Sequence, residues 1–137
     1  MTEQPTAADL DDATLAFAGR MFDLARNGGG DALAEQLDAG LPENLTNDKG
    51  DTLLILAAYH QHAATVRVLL ARGADTSRVN DRGQTALAAA VFRRTGEIVT
   101  DLLAAGADPE AGSPSARETA AFFELSDMSD LLPPAQA

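Results

Sequence analysis

The sequence predicts an all-α solenoid, a stack of repeated helix–turn–helix units. Two observations carry that reading. The first is a repeat. Gly50 recurs as Gly83, Thr52 as Thr85, Gly73 as Gly106 and Asp75 as Asp108, always at a spacing of 33. Leu69-Leu70 returns as Leu102-Leu103. Matches at one fixed period mark a chain built from a repeated structural unit. The second is composition. Hydrophobic residues make up 45% of the 137 residues but aromatics only 4%, with alanine and leucine dominant. That favours helices packed closely through small side chains.

One full unit is Asn47 to Val79 and the next is Asn80 to Gly112. A weaker unit covers 14–46 at the front and a shortened one 113–132 at the end. The expected organisation is therefore a tail at 1–9, a single domain over 10–132 and a short tail at 133–137. Thr52 precedes "LLILAAYH" and Thr85 precedes "ALAAAVF". Each hydroxyl can accept from an unpaired amide of the first turn, so both are expected N-caps. Gln61 and Arg94 fall in the bend. The second helix of each unit is expected to put Val66, Leu69 and Leu70, or Val99, Leu102 and Leu103, on one apolar face. Gly73 and Gly106 stop it, because a left-handed terminal residue costs glycine no Cβ clash. Asp75 and Asp108 can bond nearby backbone in the following turn.

The front unit carries a longer first helix, with Leu10, Phe17, Met21, Leu24 and Ala25 at helical spacing, and Asp31 is the expected cap of the helix after it. The last unit is expected to have a shortened first helix, with one extra residue before Thr119. Alanines at 57, 58, 89 and 90 let neighbouring helices approach. A lone helix pair cannot bury both faces, but stacked pairs can.

This 33-residue period, with "GDTLL…AA…LL…GAD" and "GQTAL…A…LL…GADP", resembles the ankyrin repeat family, most of all small single-domain bacterial members. The resemblance covers both full units and extends into the front and end units. The family's Thr-Pro-Leu-His is Thr52-Leu53-Leu54-Ile55 here and Thr85-Ala86-Leu87-Ala88 in the next unit, so the proline and histidine of that motif are missing. The resemblance implies that His62 is structural. It also implies a concave face lined by turn tips and by the exposed side of each first helix. Carried over position by position, the tips are Thr46, Asp48, Lys49 and Asp51, then Val79, Asp81, Arg82 and Gln84. The first helices add Tyr59 and His60, then Phe92 and Arg93. Tyr59 and Phe92 are expected side by side.

Charge sharpens the partner. The net charge is −11, which disfavours nucleic acid. Residues 67–94 nevertheless hold six arginines against two aspartates, while 1–46 and 95–137 each sum to −7. This basic waist is either a set of solvated helix faces or a site for a complementary partner. An acidic, partly apolar protein segment fits it. Other chemistry lacks a motif. There is no cysteine, hence no disulfide or thiolate metal site. Gly28–Gly30 has no preceding strand and no following Gly-Lys-Ser/Thr, so a helix turn fits better than a phosphate cradle. His60 and His62 form a His-x-His without a third histidine. No serine has a GxSxG setting. The start is acidic where a secretory leader needs bases. The expectation is a cytoplasmic, non-enzymatic, monomeric protein-binding module without a cofactor, metal or membrane span. A self-associating structural protein is the alternative, and an enzyme or metal-binding protein a more distant one.

Overall fold

The computed structural model describes residues 12–135; the expected tail at 1–9, and Leu10, lie outside them. Eight helices occupy the described residues: α1 Asp12–Asn27, α2 Gly30–Asp38, α3 Leu53–Tyr59, α4 Ala63–Ala71, α5 Ala86–Phe92, α6 Gly96–Ala104, α7 Ala116–Phe122 and α8 Ser126–Leu131. They form two layers. The odd-numbered helices pack in sequence as one row, here termed inner, and the even-numbered helices as the other, termed outer, with each consecutive pair joining the rows. Among the described residues the only β-type pairings are the isolated bridges Thr46–Thr52 and Gly112–Ser115.

Local chemistry explains the short helices. Thr52 Oγ1 accepts from the Ile55 amide, and Thr85 Oγ1 from that of Ala88, each at 3.1 Å. In the last unit Ser115 takes this place, not Thr119. Its Oγ accepts from the Glu118 amide, and Glu118 accepts from the Ser115 amide at 2.8 Å, a reciprocal capping box. Thr119 instead donates back to the Ser115 carbonyl. The expected shortening also falls elsewhere: α7 has seven residues like α3 and α5, and it is α8 that is short, at six. Gln61, Arg94 and Glu124 adopt positive φ just after the inner helices. Each lets the next amide reach back to close the helix end: His62 to Ala57, Thr95 to Ala90, Leu125 to Ala120. Asp31 does not cap α2. That helix begins at Gly30 with Gly29 as an unassisted N-cap, and Asp31 lies within its first turn, where a carboxylate still complements the helix dipole.

The core runs unbroken between the two rows. Leu53–Ala58 of α3 and Ala86–Val91 of α5 are buried along their whole length, flanked on both sides by other helices. Val66, Leu69, Ile98, Val99 and Leu102 are fully buried from the outer row. Leu70 and Leu103 stand at the margin of that face and not at its centre. They pack against the core's edge and stay partly exposed, because each is turned about 100° from its neighbouring leucine on the helix.

The basic waist is largely consumed inside the molecule. Arg72 clasps Asp38 with two bonds of 3.0 and 3.2 Å, Arg67 reaches Asp101 at 2.9 Å and also pairs with Glu97, and Arg94 meets Asp127 at 2.8 Å. These pairs join one unit to the next and tie the centre to both acidic ends. The Arg72 and Arg94 guanidiniums hold the carboxyls of Asp38 and Asp127 below the usual carboxylate range. All are at least partly exposed, so solvent screens them and none alone carries the fold. No helix among the described residues is long and apolar enough to cross a membrane.

Candidate functional site

Two structural devices shape the turn tips. Asn47 Oδ1 accepts from the amides of Lys49 and Asp51, each at 2.9 Å. Asn80 repeats the arrangement with Arg82 and Gln84, at 2.9 and 3.0 Å. Asn80 also donates through Nδ2 to Asp51 Oδ1 at 2.9 Å, and the Asp81 amide donates to the Lys49 carbonyl at 3.0 Å. Successive tips are thus fastened together.

Asp51 therefore departs from the expected exposed tip contact. Its carboxylate is buried, and its bond to Asn80 holds one tip to the next. The remaining tip residues are open to solvent to different degrees. Thr46, Asp48, Lys49, Val79, Asp81 and Arg82 are exposed, and Gln84 is half-buried. Lys49, Asp51, Tyr59, His60, Arg82 and Gln84 converge with Arg26 on one recess of about 220 Å³. Lys49, Asp51, Asp81 and Arg82 line a second, of about 270 Å³. Thr46, Asp48 and Val79 line neither.

Beside the recess runs a row of rings. Tyr59 and Phe92 stack with centroids 6.4 Å apart and planes only 14° from parallel. His60 meets Tyr59 edge-on at 5.2 Å, and the Arg93 guanidinium lies 5.0 Å above the Tyr59 ring, within cation–π range. Arg93 also donates to Gln61. The row continues into residues not anticipated from the sequence: Phe123 contacts Phe92 at 5.4 Å, and Phe122 contacts Phe123 at 4.9 Å. Phe122 ends α7 as Phe92 ends α5, but at a spacing of 30, so the strict repeat period passes it by.

The electrostatics single out this side. Among the described residues, the cations outside any ion pair are Arg20, Lys49, Arg82 and Arg93. Three of the four stand on the tips and ring row. Asp48 and Asp81 share the tips with them, so local charge is mixed but not dominated by acid. Partial burial, followed by the nearby charges of His62, Arg26 and Arg93, pushes the His60 imidazole below the ordinary histidine value, with Asp51 opposing.

His60 and His62 do not cooperate. The His62 ring nitrogen Nε2 lies 2.6 Å from the Arg26 carbonyl, linking α4's start to the end of α1. Its Nδ1 would stand 2.8 Å from a Cβ at Gly28, so that turn needs glycine both for space and for its φ of 81°. Asn44 Oδ1 accepts from the Asp75 amide at 2.8 Å.

The model of the ankyrin repeat family, in three copies, matches residues 21–113. The chain belongs to the ankyrin repeat family. An ankyrin repeat protein of Pseudomonas aeruginosa is 52% identical over 68 residues, which are 50% of this chain and 39% of that protein. The chain thus spans well under half of that relative's length. Ankyrin repeats generally mediate protein–protein interaction. The turn tips and the ring row beside them carry three of the four cations that stand outside ion pairs.

Proposed function

We propose that this ankyrin stack is a monomeric, cytoplasmic and non-enzymatic binding module, an adaptor, inhibitor or stabiliser of one protein partner. The partner lies along the concave side and presents an acidic, partly apolar segment. The observation that carries this reading is the parallel Tyr59–Phe92 pair, flanked by Lys49, Arg82 and Arg93 with no carboxylate in ion-pair contact. Rigid aromatic rings and arginines are the residue types that most often anchor interfaces. Other arginines of the chain's centre are neutralised within the fold, so the positive charge available to a partner is concentrated here.

The test begins with capture from a lysate of the source cell, followed by affinity measurement with the purified partner. Tyr59→Ala with Phe92→Ala is expected to weaken binding by roughly 30-fold or more while the helical signal and melting stay near wild type. Arg82→Glu with Arg93→Glu is expected to weaken it and to flatten its dependence on salt. Wild-type affinity in both folded variants would eliminate this face.

A further inference from the structure

The far end of the ring row has different chemistry. Ser113, Pro114, Glu118, Thr119, Phe122 and Phe123 line a cavity of about 490 Å³, larger than either recess at the tips. Phe122 is 79% exposed and Phe123 50%, and their rings meet edge-on at 78°. Rings so open to water at the edge of a recess mark an interaction surface. Glu118 is the one charged lining residue. Its Oε1 is occupied by the Ser115 amide at 2.8 Å, which leaves Oε2 for another donor.

Elsewhere in the molecule guanidiniums lie over two half-buried rings. Arg93 lies over Tyr59, and Arg20 lies 5.7 Å from the Phe17 centroid. Among the described residues no guanidinium lies over Phe122 or Phe123. All ten lysines and arginines of the sequence fall between residues 20 and 117, inside the described residues. Residues 1–11 and 136–137, outside the described ones, contain no lysine or arginine.

We propose that this cavity is a second subsite, which receives an arginine side chain from a partner protein. The apolar stem lies along the Phe122 ring, the guanidinium faces the Phe123 ring, and one N–H donates to Glu118 Oε2. Arginine suits the site better than lysine, because its planar, weakly hydrated head stacks on aromatic faces. This goes beyond the reading above: the central strip takes acidic residues and the end of the row takes a basic one, so a bound segment is polarised along the stack.

The test is a titration of the full chain with N-acetyl-arginine amide, followed by amide NMR shifts, with N-acetyl-leucine amide at matched ionic strength as control. Saturable shifts confined to residues 113–124 are expected with the arginine probe alone. Glu118→Gln keeps the capping box, since glutamine serves there too, and should weaken the probe roughly threefold or more. Phe122→Ala, at an exposed position, should abolish saturation. Tyr59→Ala should leave this titration unchanged, so this subsite and the central strip can fail separately. Equal shifts with the leucine probe, saturation surviving both variants, or no saturable shift would each overturn the proposal.

Discussion

Leu102→Ala is expected to lower the unfolding free energy by about 2–5 kcal/mol, the range for deleting a fully buried leucine. Leu102 has no exposed surface and sits on α6, which packs against α4, α5 and α8. The cavity it leaves would be bounded by several helices that cannot all close in. In a stack this short, neighbours supply most of each unit's stability, so the loss spreads beyond α6. A typical domain has only about 5–15 kcal/mol in hand. Denaturant titration should show a lower midpoint with an unchanged slope. Leu103→Ala, at the partly exposed position beside it, should cost less than half as much. Equal costs for the two would contradict the placement of the core.

Asn80→Ala is expected to cost about 2–4 kcal/mol, through lost hydrogen bonds and not lost volume. It removes the donor to the buried Asp51 carboxylate and the acceptor for the Arg82 and Gln84 amides. A buried group left without its partner costs its full desolvation, and a charged one more. Asn47→Ala makes the comparison. Asn47 is half-buried and serves two backbone amides without a buried carboxylate, so its loss should be milder. Thermal melts of both variants, with hydrogen exchange at Arg82 and Gln84, check this. Similar melting for the two would show that the Asn80–Asp51 bond carries little.

These two residues show what the sequence discloses. The repeat spacing exposes the caps Thr52 and Thr85 and the leucine pairs, because each serves a need that recurs with every unit. It does not say which leucine of a pair faces inward, since that depends on how the outer helix is rotated against the inner row. Asn47 and Asn80 recur at the same period, and that recurrence is the available signal for their shared role. Asp51 reads as a surface acid in one dimension, because its partner is 29 residues away in the next unit. The arginine-rich centre reads as a partner patch for the same reason: Asp38, Glu97, Asp101 and Asp127, which neutralise much of it, lie 30 to 34 residues distant. Within the ring row, Tyr59 and Phe92 obey the period, whereas Phe122 is displaced by the shorter last unit.

Hydrogen exchange of the protein with and without its captured partner tests the central claim most directly. Protection should appear in 46–51, 59–60, 79–84 and 92–93, with the outer helices α4 and α6 unchanged. Protection centred on α4 and α6, with the ring row exchanging as in the free protein, would contradict it.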